Sequence, residues 1–340
     1  MQKKKQILGE GLRIGPYEVR HGLALAPMAG NTNLAYRRLC RKYGAEITTT
    51  EMVSAQALHL GDAKTHAILE RSDDEFPVAA QLFGSNPLHL RVAAKIIEDL
   101  GFQIVDFNVG CPVPKITGGG GGSALLQTPE LASECVQAMR EATHLPVTVK
   151  TRTGWDSPDQ APEFALLMEE AGASALTIHG RTREQKYSGK ANYDIIRDVV
   201  QATNIPILGN GDVVDMQSAA ELKKTGVQGM AIGRGALGRP WFFAELTALL
   251  SHQPPPPPPS IPERMDILIE LGQGVCQLYG EKRGMQNMRR LASDFFREAQ
   301  GCAQARKKCT ALNTLQDLKT LAKEFTFQLE SSRPNQDPEP

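Results

Sequence analysis

From about residue 20 the chain alternates short apolar, β-rich runs with longer stretches whose apolar positions recur at helical spacing. The runs "LALAPMAG" (23–30), "EITTTEMV" (46–53), "FPVAAQLFG" (76–84), "QIVDFNVG" (103–110), "PVTVKTRTG" (146–154), "ALTIHGRT" (175–182), "PILGNGDV" (206–213) and "GVQGMAIGRG" (226–235) predict eight strands. Stretches between them, such as "LHLRVAAKIIEDLG", "PELASECVQAMREAT" and "APEFALLMEEAGA", predict helices. Alternation of this kind predicts βα units on a parallel sheet. Eight units point to an α/β fold, the (β/α)8 TIM barrel, whose usual length is ~250 residues. A doubly wound open sheet competes. It is disfavoured because no strand-linked GxGxxG opens the chain and polar or reactive residues end nearly every strand.

After the last unit comes "SHQPPPPPPS", where Pro254 to Pro259 cannot continue a helix and favour a stiff extended spacer. Beyond it, "RMDILIELGQGVCQLYG", "MQNMRRLASDFFREA" and "LNTLQDLKTLAKEF" predict three or four helices in a small bundle. The predicted organisation is a catalytic barrel over 1–250, a proline-rich linker over 251–261, a helical domain over 262–330 and a disordered tail over 331–340.

Of the 340 residues, 38 are Lys or Arg and 38 are Asp or Glu, so net charge gives no general pull toward nucleic acid or membrane. A polyanion partner must therefore meet a local patch. Lys282 to Lys308 holds eight basic residues, Arg289 and Arg290 among them, against Asp294 and Glu298, a net charge of +6 suited to phosphate. The plain alternative is a solvated helix face. Six cysteines without CxxC or metal-ligand spacing predict reduced thiols, with neither disulfides nor zinc. No stretch approaches the ~18 apolar residues of a membrane span, and no signal-like apolar run follows the basic N-terminus. A cytoplasmic protein is expected, and no protein partner is indicated.

A barrel assembles its site from several strand ends. Here they carry Pro27, Met28 and Ala29; Glu51; Gln81; Asn108 and Cys111; Lys150 and Arg152; His179 and Arg181; Asn210, Gly211 and Asp212; and Gly233 and Arg234. "GNGD" and "GRGALG" end the last two strands, where small residues let backbone N–H groups approach an anion and where barrels commonly hold phosphate. A phosphorylated cofactor is the expected occupant, although glycines at strand ends can also be plain turns. Lys150 lies in an otherwise apolar strand and needs an acceptor or an anion such as a reduced flavin, or else an acid such as Glu51. His179 alone reads as a core histidine; Arg181, two residues on, raises the case for an anion or base-edge contact. Cys111 is either an inert thiol or, at a loop on the catalytic face with no nearby histidine to make a thiolate, a proton donor.

Together "APMAG", "EM", "QLFGSNP", "DFNVGCPVPKI…GGSALL", "VTVKTRTGW", "LTIHGRTREQKYSG", "GNGDV" and "AIGRGALGRPWFF" resemble the tRNA-dihydrouridine synthases, most closely their bacterial B branch. The likeness spans Gly15 to about Leu250; "YGEKRGMQNMRRLASDFF" resembles the family's C-terminal tRNA-binding domain. The resemblance implies an FMN-dependent enzyme that uses NADPH to saturate the C5–C6 bond of a uridine in tRNA. By that likeness Pro27, Met28, Ala29, Gln81 and Lys150 line the flavin ring, while Asn210, Gly211, Asp212, Gly233 and Arg234 hold its ribityl chain and phosphate. Cys111 protonates C5, His179 lies by the flavin, Asn108 and Arg181 meet the uracil, and Arg289 and Arg290 meet the RNA. No metal is implied. Gly118 and Gly119 stand where the family carries basic residues, and the run Gly118 to Gly122 is expected to be poorly ordered without RNA.

Three other functions share part of this pattern. A flavin barrel acting on a small molecule would not bind tRNA; a flavin- and folate-dependent RNA methyltransferase would add a methyl group rather than two hydrogens; a non-catalytic RNA-binding relic would not oxidise NADPH.

Overall fold

The computed structural model describes residues 11–297 and 301–331. The basic N-terminus, Glu298 of the basic stretch and, apart from Ser331, the predicted tail lie outside them. An antiparallel hairpin, β1 (Leu12–Ile14) and β2 (Tyr17–Val19), comes first. Then follow β3 (Leu23–Leu25), β4 (Ile47–Thr49), β5 (Val53–Ser54), β6 (Val78–Phe83), β7 (Ile104–Val109), β8 (Val147–Arg152), β9 (Ala175–His179), β10 (Ile207–Asn210) and β11 (Gly229–Ile232). All but the two-residue β5 close into a parallel ring: β3 pairs with β11 and β4, and β4 with β6, so the sheet has no free edge there. The eightfold barrel is thus the observed fold. Each barrel strand lies within its predicted run and stops short of the run's end, because the last residues leave the ladder to form mouth loops.

Around the barrel lie α1 (Leu34–Lys42), α2 (Ala55–His59), α3 (Ala63–Ile68), α4 (Pro87–Asp99), α5 (Pro114–Thr117), α6 (Pro129–Ala142), α7 (Ala161–Glu170), α8 (Tyr193–Ala202), α9 (Met216–Lys223) and α10 (Phe242–Leu250). The fourth shows why they form. The Asn86 side chain caps the Leu88 and His89 amides, Pro87 supplies a preset first residue, and Leu90, Ala93, Ala94 and Ile97 make one buried stripe. Burying Leu90 or Ile97 contributes ~2 kcal/mol each.

Strand alternation sorts the barrel into two cores. Outward residues such as Val105, Phe107 and Val109 pack with the helices. Inward residues begin as an apolar floor of Ile104, Ala79, Ala175 and Leu208, closed from below by Leu12 and Ile14 of the hairpin. Above that floor the inward positions turn polar, with Gln81, Asp106 and Thr148 forming one layer and Asn108 and Lys150 the next.

No helix or strand covers Pro254–Pro259. Four helices follow among the described residues: α11 (Ile261–Tyr279), α12 (Glu281–Ser293), α13 (Cys302–Cys309) and α14 (Leu315–Ser331). Leu268, Leu271, Val275, Met285, Met288, Leu318 and Phe325 bury their shared core. The bundle meets the barrel through Trp241 and Phe295, whose rings are 6.4 Å apart edge to face, and through Arg264 lying 5.4 Å from the Trp241 ring centre. Among the described residues no helix is long and apolar enough to cross a membrane.

Candidate active site

The loops after the last two barrel strands come together. Gly235 lacks the β-carbon that would strike the Val213 carbonyl, so these loops can touch. A β-carbon on Gly233 would stand 3.7 Å from Met28 Sδ, which brings the Pro27–Ala29 loop to the same place. Among the described residues, the backbone amides of Gly211, Asp212 and Val213 donate to no protein acceptor. Buried or half-buried amides need partners, and an anion supplies them.

Charge at this mouth is positive. Lys150, Arg152, Arg181 and Arg234 all act on His179, whose pKa falls because of burial first and these cations second, so the imidazole is neutral. The Lys150 ammonium donates to Asn210 Oδ1 at 3.1 Å, and Asn210 Nδ2 donates to the Ala231 carbonyl at 2.6 Å. Burial lowers the Lys150 pKa to about 8, with Arg152 adding to the effect and Asp106 and Cys111 opposing it. The bland alternative for this lysine, an ion pair with Glu51, does not form: Glu51 accepts from the Gly30 amide at 2.8 Å. Unpaired amides beside surplus positive charge fit the phosphate and electron-rich ring of a flavin nucleotide.

Cys111 stands at the mouth, half-buried. Asn108 Oδ1 accepts from the Cys111 amide at 2.9 Å and from the Gly110 amide at 3.2 Å, and Arg152 Nε donates to the Gly110 carbonyl at 2.8 Å. Burial raises the thiol pKa, opposed by the Val113 amide, Arg152 and Lys150. The group therefore holds its proton at neutral pH.

The glycine run, expected to be poorly ordered, is folded. The Gly118 amide bonds to Pro114 O at 2.8 Å, Gly120 to Thr117 O at 3.0 Å, and Ser85 Oγ to Gly119 O at 2.9 Å. At Gly122, where φ is +58°, a β-carbon would come within 2.7 Å of the Cys111 carbonyl. Glycine there lets Ser123 bond that carbonyl through both its amide and its hydroxyl, each at 3.0 Å.

Two expected substrate contacts do not fit the geometry. Arg181, 2% exposed, grips Asp212 with two bonds of 2.8 and 2.7 Å and also donates to Ser188 O and Gly189 O, so it braces the mouth from within. Asp212 itself sits at φ +54°, held by this pair and by the Ala191 amide at 2.8 Å. Arg289 turns into the bundle, donating to Leu312 O and Asn313 Oδ1. Its neighbour Arg290 instead reaches the barrel: its NH1 is 3.1 Å from where a β-carbon on Gly30 would stand, and its charge acts on Glu51. The basic stretch is also partly spent, since Lys308 pairs with Glu324 and Arg297 with Asp294.

Residues that the sequence left outside the site also lie here. Tyr187, 60% exposed, carries Arg234 at 4.8 Å and Arg152 at 5.7 Å from its ring centre. Asp106 lies under Lys150, and its inward position two residues before Asn108 was the available signal. Beside the mouth a cavity of about 530 Å3 opens between barrel and bundle, lined by Gly30, Glu51, Lys64, Tyr279, Arg283 and Asn287. Among the described residues, no cluster of His, Cys, Asp and Glu is arranged to hold a metal ion.

A closed ring of eight parallel strands with its polar strand ends gathered at one mouth defines a (β/α)8 barrel protein. The profile of the dihydrouridine synthase (Dus) family matches residues 24–330, and the chain belongs to that family. It is 40% identical to tRNA-dihydrouridine synthase B of Proteus vulgaris over 304 residues, 88% of this chain and 94% of that protein. Identity is 39% over 279 residues to the probable tRNA-dihydrouridine synthase of Rickettsia conorii, 81% of this chain and 84% of that one. For tRNA-dihydrouridine synthase B of Pseudomonas aeruginosa it is 37% over 308 residues, 90% and 92%. Among solved structures, the old yellow enzyme homologue from Zymomonas mobilis superposes with a TM-score of 0.52 at 11% identity, covering 73% of this chain and 93% of that chain. That likeness concerns the fold.

Proposed function

We propose that this protein reduces a uridine of tRNA to 5,6-dihydrouridine, with FMN in the barrel mouth and NADPH as reductant. Family membership, the names of the relatives and the chemistry of the mouth all support this reading. The observation that carries it is Cys111, its amide held by Asn108 Oδ1 and its thiol within the influence of Arg152 and Lys150, at the same barrel mouth as the unpaired amides of Gly211, Asp212 and Val213. Asn210, Gly211, Asp212, Gly233 and Arg234 would hold the ribityl phosphate, and Pro27, Met28, Ala29, Gln81, Lys150 and His179 would surround the ring. Bound flavin supplies the hydride that uracil accepts at C6.

The remaining work falls to the protein. As the C5=C6 bond is lost, C5 needs a proton, and the Cys111 S–H bond breaks as the C5–H bond forms. The thiolate left behind is stabilised by Arg152 and Lys150, the cations that already lower its pKa. Solvent then returns the proton. Neutral His179 offers a ring nitrogen without adding charge, and Tyr187 provides a face on which a base can stack. The target must leave its helical stack to reach this depth. The cavity beside the mouth gives the surrounding RNA room, and Arg283 and Arg290 face its phosphates. In this reading residues 251–261 link the catalytic barrel of 1–250 to an RNA-gripping domain over 262–330.

FMN-loaded wild-type protein and Cys111→Ala would be compared on unmodified tRNA in single turnovers. Wild type should form dihydrouridine. The variant should still be reduced by NADPH, while product formation falls by ~10²- to 10⁴-fold. Protein that takes up no FMN, or a variant with undiminished product, would refute the mechanism.

A further inference from the structure

Beneath the mouth lies a carboxylate that none of these steps uses. Asp106, 6% exposed, faces into the barrel and sits in register with Gln81 on one side and Thr148 on the other. Its Oδ1 accepts from Thr148 Oγ1 at 2.6 Å and its Oδ2 from Gln81 Nε2 at 2.7 Å. Gln81 Oε1 in turn accepts from Asn108 Nδ2 at 2.9 Å, and Asn108 Oδ1 accepts from the amides of Cys111 and Gly110. These bonds form one continuous line from the buried acid to the backbone that carries the thiol.

Each side-chain amide can turn over and exchange donor for acceptor, so the sense of this line is set by its two ends: the Gly110 and Cys111 amides, which only donate, and Asp106. An ionised carboxylate only accepts. It obliges Gln81 to point its NH2 at Asp106 and its oxygen at Asn108, and obliges Asn108 to point its oxygen at the Cys111 amide. In the opposite sense Asn108 would set its NH2 against that N–H, donor against donor, and the two bonds anchoring Gly110 and Cys111 would be lost.

We propose that Asp106 is a positioning residue for the proton-donating thiol, which it places by fixing the sense of the Gln81–Asn108 relay. This rests on the reading of Cys111 as proton donor. Burial raises the Asp106 pKa to about 6, against the opposing effects of Thr148, Gln81 and Lys150. Below that pH the group gains a proton, can donate to Gln81, and leaves the sense of the relay held from the Gly110 and Cys111 end alone. The other titratable groups around it keep their state between pH 5 and 7: Lys150 and Arg152 stay charged, Cys111 protonated and His179 neutral. A thiol acting alone as acid would give no loss of rate on the acid side, so an acid limb belongs to Asp106.

The test uses full-length, FMN-loaded, NADPH-reduced protein and unmodified tRNA in single turnovers from pH 5 to 7. Wild type should lose rate toward low pH with a midpoint near the Asp106 pKa of about 6. Asp106→Asn should be slower by about 10- to 100-fold at pH 7 and flat through the acid range, as expected for a misplaced reacting group. In flavin-free protein, iodoacetamide labelling of Cys111, followed on its own peptide by mass spectrometry, should accelerate about tenfold in the variant, the equivalent of one lost hydrogen bond. Thr148→Val, which removes only the acid's other donor, should move the acid limb upward by about one pH unit. A variant Asp106→Asn with the wild-type rate and limb, or a limb unmoved in Thr148→Val, would overturn the proposal. Cys111→Ala measured alongside separates the two readings. If it retains product formation, the donor assignment fails; if it loses product while Asp106→Asn behaves as wild type, only the positioning role fails.

Discussion

Lys150→Met should stabilise the flavin-free protein while abolishing its use. In the fold the Lys150 pKa drops from the ordinary 10.5 to about 8. Such a fall corresponds to about 3 kcal/mol lost by keeping the ammonium charged at neutral pH. Water reaching the partly exposed side chain reduces this cost. Methionine of similar length removes the charge but orphans Asn210 Oδ1, now bonded to the lysine at 3.1 Å, which costs ~1 kcal/mol. The expected net gain is ~1 to 2 kcal/mol at pH 7. The pH dependence supplies the sharper check. Between about pH 8 and 10.5 the unfolded lysine binds a proton that the folded one has released, so wild-type stability should rise with pH across that window. The variant should lack that rise. Urea denaturation of flavin-free protein at intervals from pH 7 to 10.5 measures both curves, and FMN titration measures the function given up. Parallel curves, or a variant less stable at pH 7, would show that the buried charge is compensated within the protein and that no anion is needed to balance it.

Gly235→Ala should force the loops after β10 and β11 apart by placing a methyl against the Val213 carbonyl, weakening FMN binding about thirtyfold for ~2 kcal/mol of strain; unchanged flavin affinity would show that the two loops do not act as one cradle. Arg290→Glu should weaken tRNA binding and reduce the slope of log affinity against log salt by ~1, with flavin affinity unaltered. Equal salt slopes for variant and wild type would take Arg290 out of the RNA contact.

Much of the site was legible because a strand's period of two is blind to what lies on its partners: Gln81, Asn108, Lys150 and Asn210 announce themselves as inward polar residues wherever neighbouring strands pair. What the sequence withholds is the identity of those neighbours. Arg181 invites an external anion until Asp212 is seen to bond it twice. Asp106 looks like one more polar strand residue until Gln81 and Thr148, from the strands on either side, close on its two oxygens. Arg289 and Arg290 are adjacent in sequence, yet successive helical residues point ~100° apart, so one braces the bundle and the other reaches the barrel. The glycine run read as disorder by composition, but its carbonyls and amides are bound locally and by Ser85, a partner contributed by another strand end.

The hairpin that seals the barrel floor has a kinetic consequence. Among the described residues, Leu12 and Ile14 fill the lower end of the barrel, which leaves the mouth as the end open to a visitor. If the protein works as proposed, whatever delivers electrons and whatever receives them enter by that end and stand over the same spot. Under the function proposed above, the two partners visit in alternation, and the departure of one sets the earliest moment at which the next can arrive.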